Sequence, residues 1–146
     1  MASKAILQLK GFDDLLEQIQ QAGGSIDRAA DSCLRQSAQI MKTELQTQMQ
    51  AAGVASDLIN AMPQPQITVE GNTYSAAVGY KKGDFDPSDP SDGYKVVFLN
   101  YGTPRRTKHG KVKARGFIQA AKTKARPRIK KAQKETLEKI LWRVSK

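Results

Sequence analysis

The 146-residue chain carries 24 Lys and Arg against 14 Asp and Glu, a formal net charge of +10 at pH 7, and its length fits one domain with a modest core rather than two. No uninterrupted apolar run approaches the roughly 20 residues of a membrane-spanning helix, which argues against a membrane protein. With one cysteine, Cys33, and one histidine, His109, an internal disulfide is excluded and a metal centre or a Cys/His nucleophile pair is improbable, so neither metal nor cofactor is expected.

At the N-terminus Ile6, Leu7 and Leu9 are broken by Gln8 and Lys10, short of the apolar core of a signal peptide, so synthesis without export is expected. Phe12, Leu15, Leu16 and Ile19 fall at helical spacing behind Asp13 and Asp14, whose carboxylates complement the positive end of a helix dipole. This predicts a short helix stopped at Gly23-Gly24. Ser25 is a candidate N-cap for a second, long helix, on which Ile26, Ala30, Cys33, Ser37, Met41, Leu45 and Met49 trace one face. That face is mostly small, so another backbone can approach closely, and Cys33 reads as a small core residue.

After Gly53 a proline-bearing loop leads to Gln66-Ile67-Thr68-Val69-Glu70, a Gly71-Asn72 turn, and a second alternating run with Tyr74, Ala76, Val78 and Tyr80 on one face. This predicts a β-hairpin. Residues 81–93, KKGDFDPSDPSDG, hold Asp84, Asp86, Asp89 and Asp92 with a single large apolar residue, which predicts a mobile loop. Its carboxylate spacing is not that of a calcium loop. Tyr94-Lys95-Val96-Val97-Phe98-Leu99 is β-rich and predicts a third strand, ending at a sharp turn over Asn100–Pro104. A second mobile loop is predicted over 104–115, with Arg105, Arg106, Lys108, Lys111, Lys113 and Arg115 around His109. From Phe117 onward a helical stripe runs to Val144, with Pro127 inside it predicting a kink or restart near Ala125 to Arg126. Trp142, beside Leu141, reads as a core or interface anchor. The fold class is α+β: a small antiparallel sheet packed against two long helices, with a short N-terminal helix.

Charge is divided unevenly. Residues 1–70 hold five basic and eight acidic side chains, residues 71–103 three and four, and residues 104–146 sixteen basic against Glu135 and Glu138. Such polarity suits a nucleic acid, an acidic protein partner, or identical subunits packed head to tail. No phosphate-binding glycine loop, Cys-x-x-Cys or His-Glu-x-x-His motif is present. The sequence neighbours of His109 include Lys108 and Lys111 but no carboxylate to orient it as a base. An enzyme is therefore not expected. Nucleic-acid binding by the basic third is the alternative, carried by Lys122, Lys124, Lys130 and Lys131, although no aromatic in the 105–115 loop offers stacking.

The order of segments, with Phe98-Leu99-Asn100-Tyr101-Gly102-Thr103, a polar loop, and Gly116-Phe117-Ile118-Gln119-Ala120-Ala121 opening the last helix, resembles the tail-completion (minor tail, head-tail joining) proteins of long-tailed bacteriophages. Tyr101, Gly102, Thr103, Phe117, Ile118 and Ala121 match that family's pattern; Asn100 stands where the family has Glu, and Gly116 where it has Pro. The resemblance implies a structural virion protein of the neck, a hexameric ring joining tail to head. Its partners would be head-closure and tail-terminator or tail-tube proteins, with non-specific contact to genomic DNA in the channel. The residues themselves read as architectural. The acidic residues Asp84 to Asp92 and the basic residues Arg105 to Arg115 are expected to face each other across a subunit boundary.

Overall fold

Along Lys4–Gln8 the side chains alternate, with Ala5 buried and Ile6 exposed, and the segment forms strand β1. The computed structural model describes residues 4–9, 11–70, 73–80, 88–89, 93–102 and 113–146. Helix α1 (Asp13–Gln21) and helix α2 (Ile26–Ala51) follow, then a single turn α3 (Ser56–Asn60), strands β2 (Gln66–Glu70) and β3 (Thr73–Gly79), helix α4 (Tyr94–Tyr101) and helix α5 (Phe117–Val144). Ser25 caps α2 as its sequence position implies, its hydroxyl accepting from the Arg28 amide at 3.3 Å. Asp13 and Asp14 lie in the first turn of α1.

The sheet is antiparallel in the order β1-β3-β2. Lys4 pairs with Gly79 and Gln8 with Ser75 on one side of β3; Gln66 pairs with Ala77 and Glu70 with Thr73 on the other. The hairpin is therefore as its alternation predicts, while the third strand is not residues 94–99 but β1. Both sides of β3 are taken by β1 and β2, so β1 holds the place beside the hairpin expected for 94–99, and that segment forms α4 instead. Val96 and Asn100, four residues apart, face inward together.

Helix α5 runs antiparallel to α2. Arg115 meets Ala52, Arg128 meets Glu44, and Gln133 meets Cys33. The small residues Ala29, Ala30, Cys33, Ser37 and Ala38 on α2 are all buried, as close approach of a second helix requires. The larger core gathers Leu34, Met41, Leu45 and Met49 of α2, Ala76 and Val78 of β3, and Phe117, Ile118 and Ile129 of α5. A second cluster joins Leu16 and Ile19 of α1 to Cys33 and Leu137. Of the kink or restart expected near Ala125 to Arg126, no restart occurs, since α5 continues through Pro127; of the core or interface place expected for Trp142, the core is excluded, since Trp142 is 61% exposed, with the Lys146 ammonium 3.7 Å from its ring centroid. The α+β class, with two long helices and a small antiparallel sheet, is the observed one.

Candidate functional site

The two stretches that carry the sequence motif meet at one junction. Helix α4 ends at Tyr101 and Gly102, where φ is +76°, and its last carbonyls receive the chain that opens α5: the Arg115 amide donates to Leu99 O at 3.0 Å and the Gly116 amide to Asn100 O at 3.0 Å. Phe117, Ile118 and Ala121, in the first turns of α5, are buried. Tyr101 is half-buried, and Thr103 lies outside the described residues.

Asn100 is the polar centre of the junction. Its side chain is 2% exposed, and its Oδ1 accepts from the Ile118 amide at 2.9 Å. The first amides of a helix have no partner within the helix, so Asn100 caps α5 from a different element. Its Nδ2 is buried without a hydrogen-bond partner among the described residues. The Glu of the resembled family would offer only acceptors here, so the Asn keeps the capping oxygen and adds a stranded donor. Gly116 has φ +60°, a left-handed conformation closed to proline, which gives the second departure from the family pattern a backbone reason. Arg115 completes the joint by donating from Nη1 to Ala52 O at 3.1 Å, satisfying a carbonyl at the C-terminal end of α2.

Of the charged residues expected at an interface, Lys113 and Arg115 are exposed and Asp89 is half-buried. Asp84, Asp86, Asp92, Arg105, Arg106, Lys108 and Lys111, and with them His109, most of the 81–93 and 104–115 loops and the Gly71-Asn72 turn, lie outside the described residues. Sequence reasoning treated Asn100 only as a mismatch and missed that it holds α5. The basic residues of α5 stand on its outward side: Lys122, Lys124, Arg126, Lys130, Lys131 and Lys134 are all exposed, on both flanks of the buried stripe Ile118, Ala121, Ala125, Ile129. Glu135 and Glu138 interrupt them toward the C-terminus.

Elsewhere, the Tyr74 hydroxyl donates to Asp27 Oδ1 at 2.6 Å, tying the hairpin to the start of α2. That hydrogen bond, with lesser contributions from burial and the Asp27 charge, raises the Tyr74 pKa above its ordinary value. Burial pushes the Cys33 thiol up to about 12, against a smaller lowering by Ser37. Among the described residues no group of three or more His, Cys, Asp or Glu could hold a metal ion, and no helix is long and apolar enough to cross a membrane. A scan of protein-family models and searches of curated proteins and of solved structures return no match to this chain.

Proposed function

We propose that the protein is a structural component of a tailed-phage virion, acting without catalysis as a tail-completion subunit that forms a ring at the head-tail junction. The observation that carries the reading is the buried junction itself. The motif residues Tyr101, Gly102, Phe117, Ile118 and Ala121 resemble those of tail-completion proteins, and the two stretches that carry them are joined by hydrogen bonds from the Ile118 and Gly116 amides to Asn100, an architectural joint between α4 and α5. The division of charge along the chain supports head-to-tail contact between copies, which closes into a ring when the rotation per subunit permits.

A second reading has its own support. The exposed cations from Lys122 to Lys134 form an outward basic surface on α5, which suits non-specific binding to a phosphate backbone. One experiment separates the two. Light scattering of the purified chain at low and moderate salt, with negative-stain images of any large species and duplex DNA added in parallel, yields rings on the first reading. A monomer at every concentration that binds duplex DNA with steep salt dependence replaces it with the second.

A further inference from the structure

Beside α5 the sheet leaves one edge open. In the order β1-β3-β2, strand β1 pairs, among the described residues, only with β3, and a groove of about 500 Å³ runs between β1 and α5. Ala5, Ile6 and Leu7 all line it. Three consecutive strand residues can border one groove only if it follows the backbone edge, because alternate side chains leave opposite faces. Ala5, Leu7, Met41 and Ile129 make its apolar surface, and Ile6 is 55% exposed. Lys122, Arg126 and Lys130, at successive steps of four along α5, supply its charge, and none has an ion-pair partner among the described residues.

This pattern asks for an extended segment that can add to a strand edge, insert one apolar side chain and present carboxylates on either side. The chain contains such a run. In Asp84-Phe85-Asp86, within GDFDPSDPSD at 83–92, Phe85 is the one aromatic of the sequence set directly between two carboxylates. A phosphate backbone would satisfy the three cations but not the apolar surface. We infer that the groove between β1 and α5 binds the acidic 83–92 segment of a second copy of this chain, with Phe85 against the apolar surface and Asp84 and Asp86 toward Lys122, Arg126 and Lys130. The inference rests on the reading that the protein works as an assembly of identical copies, and it names the contact that joins them.

The test is fluorescence anisotropy of a labelled 83–92 peptide titrated with the full chain carrying Phe85→Ser, so that its own segment does not compete. Binding is expected, weakened about tenfold by Arg126→Glu with Lys130→Glu in the chain, and weakened severalfold by Phe85→Ser in the peptide. Arg126 and Lys130 are exposed, and circular dichroism checks that every chain carrying a substitution remains folded. Absence of binding overturns the inference, as does binding indifferent to Phe85→Ser, which would be charge attraction alone. Displacement of the peptide by duplex DNA that binds more tightly through the same cations also overturns it and assigns the face to nucleic acid. Light scattering separates this failure from that of the ring: closed rings formed equally well by the Arg126→Glu, Lys130→Glu chain reject the groove contact and leave the ring, while open chains or dimers that the same substitutions dissolve keep the groove contact and reject the ring.

Discussion

Asn100 does with one side chain what most helices leave to the residue at their own N-terminus. Replacing it by Ala removes the cap on Ile118 and opens a small buried space, an expected loss of about 1–3 kcal/mol, read as a lowered urea midpoint with an unchanged slope. Asn100→Asp retains the acceptor beside the positive end of α5 and removes the stranded Nδ2, so it is expected to lose less than the Ala variant at pH 7. This role was not legible in the sequence, because the bond joins residues eighteen positions apart and no local pattern marks it. Cys33 was legible: its place on a small-residue helical face already made it core. Its thiol is wholly buried and its pKa is raised from 9.0 to about 12. The sign follows from linkage. Below pH 9 the thiol is protonated folded or unfolded; from about pH 9 toward 12 only the unfolded chain gives up the proton, so this contribution to stability is lost as pH rises. Denaturant titrations at pH 8 and pH 10.5 should show the fall, lessened in Cys33→Ala relative to its own pH 8 value, and native Cys33 should resist thiol reagents at pH 8 until the chain is unfolded.

At the level of elements, periodicity identified α1, α2, α5 and the hairpin because each shows its own apolar repeat. It failed twice for one reason. Tyr94–Leu99 is rich in β-formers, but whether such a run becomes a strand depends on its tertiary surroundings, and the place on β3 went to β1; Ile6, apolar yet exposed, hid the alternation of β1. Pro127 shows a different conflict, since the helix continues through it although a mid-helix proline removes an amide donor and crowds the preceding turn. Pro127 is exposed, so Pro127→Ala should raise stability by about 1–3 kcal/mol, seen as a higher melting temperature; no gain would mean that the surrounding helix is already relaxed around the ring. Gly24 marks where α1 and the end of α5 converge. A Cβ there would stand 2.7 Å from Ile19 Cγ2 and 3.2 Å from Val144 Cγ1. Gly24→Ala is expected to cost about 1–3 kcal/mol by forcing these apart, whereas Gly11→Ala meets no neighbouring atom and would report instead the strain of a left-handed backbone at φ +82°.

For the whole molecule, the charge division and the α+β class could be read from composition and pattern, but the open β1 edge and its basic border could not, since they depend on which strand lies outermost. The single tryptophan gives assembly a direct signal. Trp142 is exposed beside Lys146, so its emission should be that of a solvated indole and readily quenched by iodide in the monomer; a blue shift and loss of quenching on assembly would place the end of α5 in a subunit contact, and an unchanged spectrum would place it outside. The antiparallel pairing of α2 with α5 also orders events during synthesis. The buried face of α2 is made early, yet its partners Ile118, Ala121, Ala125, Ile129 and Leu137 belong to the element translated after all the others described. A nascent chain halted before Phe117 therefore leaves bare the face of α2 that α5 covers, a species suited to chaperone capture and to aggregation. Completion of the core must wait for the basic helix, so the chain acquires its full core and its cationic surface in the same step.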